Sequence, residues 1–215
     1  TNNLDFLDFV GDQYAGRFTY RVAPNTRIYA EAVISELDYT PGVNFELDNT
    51  YKRYRAGITW DFTGKLTGDV NVGYQDRDYD LDGLRDIDGL AYDGKVTWAV
   101  NTYTNVEAKA KRESIDSSLE EAGGFLRTTY SLGLKHELTE RVKVKADAGY
   151  SNDELVFNVN REDTRYAYQF GVEYELLRNV ILAADYTYEE RDSTLAIADY
   201  QANVIGLSVI VSLDD

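Results

Sequence analysis

The sequence predicts an all-β chain folded as an antiparallel, up-and-down transmembrane β-barrel, with about 11 to 12 strands in view. The clearest observation is the stretch Arg165 to Leu176, where Tyr166, Tyr168, Phe170, Val172, Tyr174 and Leu176 alternate with Arg165, Gln169, Glu173 and Glu175. Successive strand side chains point to opposite faces, so one face of this segment needs an apolar neighbour and the other needs water or polar protein. Second, the pattern returns about every twenty residues, with aromatics near the strand ends. Third, the connections alternate between short turns and long polar loops, as they do in barrels that cross a membrane.

Taken in order, alternation predicts strands at Tyr14 to Val22, Ile28 to Ile34, Tyr54 to Phe62, Leu66 to Tyr74, Leu90 to Trp98 and Val106 to Ala110. It continues at Leu126 to Leu134, Val142 to Tyr150, Tyr166 to Leu176 and Val180 to Tyr188. A last strand, Ile205 to Leu213, is apolar on both faces, which leaves its register open. Short turns fall at Ala23-Pro24-Asn25, Thr63-Gly64-Lys65, Asn101-Thr102, Thr139-Glu140-Arg141 and Arg178-Asn179, with long loops near 39–49, 76–89, 114–124, 151–164 and 190–199. In bacterial barrels the short turns face the periplasm, which puts the C-terminus there. Single-chain bacterial barrels have even strand numbers, so an odd count implies a further strand within residues 1–10 or earlier strands of a larger barrel. Asn2 to Asp8 alternates poorly, which favours the larger barrel, and the missing initiator Met and secretory leader read as a mature or trimmed chain.

Composition narrows the class. The 215 residues contain only two prolines, Pro24 and Pro41, and no linker-like stretch, so 1–215 reads as a single barrel region. Eighteen tyrosines, each with an apolar ring and a polar tip, suit strand ends at a membrane–water interface. The formal charge of −16 argues against a nucleic-acid partner, whose phosphates need clustered Lys and Arg. The absence of cysteine excludes disulfides and thiolate chemistry. No apolar run reaches the roughly 20 residues of a membrane helix, a test that barrels escape because half of each strand faces the lumen.

The face opposite the apolar one carries Arg17, Arg21, Glu31, Arg53, Arg55, Asp61, Asp69, Asp93, Lys95, Glu107, Lys109, Lys111, Arg127, Lys135, Lys143, Lys145, Asp147, Arg165, Glu173 and Asp185, read here as the pore-lining row. In a wide barrel these side chains would line water and set solute preference by their local field. In a narrow one they would pair across the lumen and block it. Asp78, Asp80, Asp82, Gly83 and Asp86 form an alternating acidic run like a calcium loop, the one metal candidate, although Gly89 stands where an EF-hand places its final Glu. The plain reading is a solvated acidic loop, with no cofactor. His136 lies on the apolar side of its strand, and Ser131 and Ser151 lack His–Asp partners, so no enzyme activity is expected.

The hairpins carrying Asp61-Phe62-Thr63-Gly64-Lys65-Leu66, Val72-Gly73-Tyr74, His136-Glu137-Leu138 and Glu175-Leu176-Leu177-Arg178-Asn179-Val180 resemble the C-terminal part of the putative β-barrel porin family of proteobacterial outer membranes. The chain departs from the barrel habit at Leu213-Asp214-Asp215, where a terminal aromatic would be expected. The resemblance implies an outer-membrane location and a channel for ions, small solutes or a secreted surface polysaccharide. Its expected surroundings are outer-membrane lipid and lipopolysaccharide, with an envelope or polysaccharide-export partner. The alternative is a closed structural barrel whose acidic loops bind lipopolysaccharide, calcium or a protein.

Overall fold

All eleven predicted strands are present, and their order along the sheet is their order along the chain. The computed structural model describes residues 9–39, 48–80, 86–116, 124–155 and 161–212. The strands are β1 (Phe9–Ala23), β2 (Thr26–Tyr39), β3 (Asn49–Phe62), β4 (Leu66–Tyr79), β5 (Ile87–Asn101), β6 (Thr104–Asp116), β7 (Gly124–Glu137), β8 (Val142–Leu155), β9 (Arg161–Leu177), β10 (Val180–Ser193) and β11 (Tyr200–Val211). Every neighbouring pair is antiparallel, and β1 and β11 are not paired with each other among the described residues. Asn2 to Asp8 and Leu213-Asp214-Asp215 lie outside the described residues.

The short turns form where the sequence places them. Thr63 and Gly64 take φ values of 58° and 67°, the left-handed pair that a tight hairpin reversal requires, and Asp61 accepts a hydrogen bond from the Gly64 N–H at 3.0 Å. Asn101 accepts the Tyr103 N–H at 2.8 Å, and the Thr139 hydroxyl accepts the Val142 N–H at 3.1 Å. Local side-chain acceptors of this kind substitute for the ladder partner that a turn removes.

At the other end the strands run further than expected. The regions read as loops at 76–89, 114–124, 151–164 and 190–199 contain ladder residues such as Asp76–Tyr79, Ser114–Asp116, Ser151–Leu155, Arg161–Thr164 and Glu190–Ser193. Charged residues look like loop in sequence. Here they continue the period-two ladder because partners on adjacent strands pair with them. The last strand also begins earlier than predicted, at Tyr200, and its register is now fixed: Ile205, Leu207 and Val209 face Tyr186, Ala184 and Leu182.

The sheet is mostly one layer, with one apolar and one polar side. Large side chains on the apolar side are open, as at Phe18 (71% exposed) and Leu207 (81%), because no protein layer covers them. A tyrosine row runs across this side, with Tyr92–Tyr130 and Tyr130–Tyr150 stacked and Tyr150–Tyr166 tilted, at centroid distances of 6.4, 6.1 and 5.4 Å. On the polar side, Tyr29 is buried because its ring crosses the bare backbone of Gly57 and its hydroxyl donates to Asp69 at 2.8 Å. A Cβ at Gly57 would fall 2.4 Å from that ring.

One region is double. The β5–β6 ladder ends at Tyr92 opposite Arg112, whereas β4–β5 continues to Arg77 opposite Ile87. Beyond that level the β4–β5 hairpin leaves the sheet and laps over β6–β7. Its polar side packs on their apolar side. Thus Gln75, Ile87 and Ala91 are buried from one hairpin, and Ser114, Leu126 and Thr128 from the other. The Ser114 N–H donates to Gln75 Oε1 at 3.0 Å. Gly124 is required there, since a Cβ would meet Tyr79 Oη at 2.5 Å and the Ile115 carbonyl at 2.8 Å.

Candidate functional site

Directly facing residues on adjacent strands point to the same side of a sheet, so the register assigns every charged residue a side. Arg17 faces Glu31 and Glu31 faces Arg55; Asp69 faces Lys95 and Lys95 faces Lys109; Asp93 faces Lys111; Lys135 faces Lys145; Lys143 faces Glu173. Continued across the sheet, the same registers put Arg21, Arg53, Asp61, Glu107, Arg127, Asp147, Arg165 and Asp185 on this polar side with them. The whole predicted row therefore shares one face.

Three ion-pair groups organise that face. Glu31 holds Arg55 through Nε at 2.7 Å and Nη2 at 2.6 Å, with Arg17 at 3.7 Å and Arg53 at 3.9 Å. One carboxylate thus serves three guanidinium groups, and Arg17 also stacks over the Tyr29 ring at 3.7 Å. Glu107 sits between Lys95 at 2.9 Å and Lys109 at 2.7 Å, and Lys111 pairs with Glu113 at 2.6 Å. Lys143 reaches Glu137 at 3.4 Å, and Lys145 bonds Glu173.

The third group stands beyond the tyrosine row, at the long-loop end of β7–β10. Arg127 binds Asp153 in a fork, Nε to Oδ1 at 2.6 Å and Nη2 to Oδ2 at 2.8 Å, while Arg165 donates to Oδ2 at 2.8 Å. Asp163, directly opposite Asp153, accepts from Arg191 at 2.5 Å, from Arg161 at 3.1 Å and from the Ser193 hydroxyl. Burial pushes the Asp163 carboxyl upward, but the bonds from Ser193, Arg161 and Arg191 outweigh it and hold the group below the usual carboxylate range. Each Asp is nearly closed from solvent and neutralised by two guanidinium groups.

The row predicted from the sequence omits Asp153, Arg161, Asp163 and Arg191, which fall in segments read as loops. The available signal was Arg161-x-Asp163-x-Arg165, which alternates in step with the strand that follows. The acidic excess is elsewhere. Of the strand Lys and Arg among the described residues, only Lys52 and Arg112 stand on the apolar side. By contrast, Asp12, Glu36, Asp76, Asp78, Asp88, Glu154, Glu162 and Glu190 all do, near the long-loop end. The net charge therefore misdescribes the polar face.

Asp82 of the acidic run lies outside the described residues. Asp78 is paired with Lys52 at 3.3 Å and Asp86 accepts the Tyr79 N–H at 3.1 Å; no group of three or more candidate metal ligands occurs among the described residues. His136 contacts the Thr104 hydroxyl through Nδ1 at 2.8 Å on the apolar side, whereas Ser131 and Ser151 stand on the polar side.

Antiparallel meander, one continuous apolar side, an aromatic row and a charged opposite side together define a bacterial outer-membrane β-barrel protein. The chain belongs to the family described as Putative beta-barrel porin 2, whose model matches residues 2–213. No curated protein sequence matches it. Among solved structures, it is similar to the outer membrane channel DcaP of Acinetobacter baumannii, with 15% identity, a TM-score of 0.64, and coverage of 93% of this chain and 62% of that one. It is also similar to the FrpB iron transporter of Neisseria meningitidis (10% identity, TM-score 0.58, 86% and 37% covered) and to the ferric-catecholate import receptor Fiu of E. coli K12 (12%, 0.54, 96% and 44%). At these identities the likeness is one of fold, and the chain spans less than two thirds of each of these proteins.

Proposed function

We propose that this protein forms a water-filled outer-membrane channel that passes ions and small hydrophilic solutes through a lumen lined by the polar face. The observation that carries the reading is the solvation of the paired lysines. Lys95, Lys109 and Lys143 keep 55%, 51% and 51% of their side-chain surface open although each has a carboxylate partner. These ammonium groups stand on the face opposite the apolar one and need water beside them, as a hydrated lumen supplies. The membership in a porin family and the channel-like fold support the same reading. A secreted polysaccharide is a larger cargo of the same hydrated class. Outer-membrane lipid and lipopolysaccharide surround the apolar side, and the reading includes no catalytic step, cofactor or nucleic acid.

Because both signs line the face, selectivity is weak. Single-channel conductance of the full-length protein in planar bilayers tests the channel, with Arg53→Ala/Arg55→Ala as the lumen control. Steady conductance that changes with those substitutions is expected. A folded, heat-modifiable barrel that stays silent would instead point to a closed scaffold acting through its acidic rim.

Glu31 gives the sharper electrostatic prediction. Glu31→Gln removes the carboxylate shared by Arg17, Arg53 and Arg55, so passing ions meet uncompensated positive charge. One unit charge about 6 Å from an ion in water is worth about 0.7 kcal/mol, so the anion-to-cation permeability ratio should rise roughly threefold or more at low salt and fall back at high salt. Reversal potentials across a salt gradient measure it; an unchanged ratio would remove Glu31 from the conduction path.

A further inference from the structure

The β4–β5 hairpin end lies over a break in the barrel wall. Among the described residues no backbone ladder joins β5 to β6 above the Tyr92–Arg112 pair, and the lapped hairpin covers the gap. On the polar side of this seam is a recess of about 230 Å³ lined by Arg53, Arg55, Asp93 and Lys111. On the other side is one of about 470 Å³ lined by Asp88, Leu126, Glu154 and Arg161. Arg112 lines both. We propose that the described part of this hairpin, residues 75–79 with 87–91, is a flap over a side opening, through which hydrated solute passes laterally between the lumen and the outer surface. This rests on the channel reading above.

Two features make the joint separable. One polar contact in it is the Ser114 N–H donating to Gln75 Oε1, which also accepts from the Tyr51 hydroxyl at 3.4 Å, beside the buried Ile87 and Leu126. Gln75 Nε2 and Ser114 Oγ are buried there without a hydrogen-bond partner among the described residues. A closed joint therefore carries a desolvation cost that water would relieve on opening.

The chemistry of both recesses selects the cargo. Charged side chains line each of them, and the seam lies beyond the tyrosine row, at the level of polar headgroups. A sugar-like or ionic solute fits this path, and an acyl chain does not.

These 215 residues contain no cysteine, so in a full-length background freed of any other thiol a single introduced one reports one position. In the full-length protein in liposomes, Leu126→Cys should react with a bulky membrane-impermeant maleimide far more slowly than the exposed Glu162→Cys. Adding Gln75→Ala should speed the Leu126→Cys reaction about tenfold, the equivalent of one latch bond plus the packing around it. Ile87→Ala, which loosens the apolar half of the joint, serves as a second variant, and heat-modifiability verifies folding of each.

Efflux of a neutral oligosaccharide should rise in Gln75→Ala. Fast labelling of Leu126→Cys in the parent would show that no flap is seated, and unchanged labelling in both loosened variants would show that the joint does not open; either overturns the proposal. Faster labelling without increased efflux overturns the side opening. Absence of ion conductance in every variant would overturn the channel reading instead, and the labelling rates would still decide whether the flap moves.

Discussion

Leu134→Lys should lower the unfolding free energy by about 2–4 kcal/mol, whereas Ser131→Lys, three residues away, should change it by less than about 0.5 kcal/mol. The two positions have opposite parity on β7. Leu134 faces Val106 and Ala146 on the apolar side; Ser131 faces Lys109 and Gly149 on the polar side. Leu134 also lies midway between Tyr130 and the turn residue Leu138. Eight residues at about 3.3 Å each, tilted about 40°, rise about 20 Å, which puts Leu134 near the bilayer midplane where an added ammonium has no water to reach. Lys135, its immediate neighbour, is tolerated because it points to the other side. Urea unfolding in lipid vesicles, followed through Trp60 and Trp98, measures both variants. Equal costs would mean that the sides have been assigned wrongly.

Asp153→Asn should cost on the order of 2 kcal/mol in the same assay. The carboxylate is 4% exposed and holds Arg127 and Arg165, so the neutral amide leaves two guanidinium groups without their counter-charge. Breaking a fully buried pair costs about 3–5 kcal/mol, but these guanidinium groups are 33% and 26% exposed and can turn toward water, which reduces the figure. Pairing Asp153→Asn with Arg165→Gln should recover part of the loss, with a coupling above about 0.5 kcal/mol. Glu137→Gln breaks the open pair with Lys143 and should cost less than about 0.5 kcal/mol. A strictly additive double variant would show that Asp153 and Arg165 do not depend on each other.

The sides of the sheet were legible in the sequence because side-chain parity is a local property. Once Tyr166 to Leu176 is read as a strand, the polar placement of Arg165 and Glu173 follows without any knowledge of neighbours. The strand ends were not legible, because the residues there are charged on both sides and lose the apolar signal. Asp163 stays in the ladder because Arg191 comes from a strand nearly thirty residues later in the chain, which no window on the sequence contains. The lapped joint was invisible for a further reason: Ile87 and Leu126 pack across opposite sides of the sheet, and parity alone would keep them apart. The acidic excess misled in the same way, since a sum over the chain cannot say on which side each charge stands.

The open edges have a consequence for assembly. Both β1 and β11 run from the long-loop end toward the short-turn end, as their position in an eleven-stranded meander requires. The edge backbone groups of β1 and β11, which no strand meets among the described residues, cannot be left in hydrocarbon, so some strand must meet them. Copies of this sheet inserted with a common orientation would bring β1 of one against β11 of the next with their directions matched. Rings of such copies would therefore contain a parallel seam at every junction. A wholly antiparallel wall needs an odd number of additional strands between the two edges, and any partner that completes it must carry that parity.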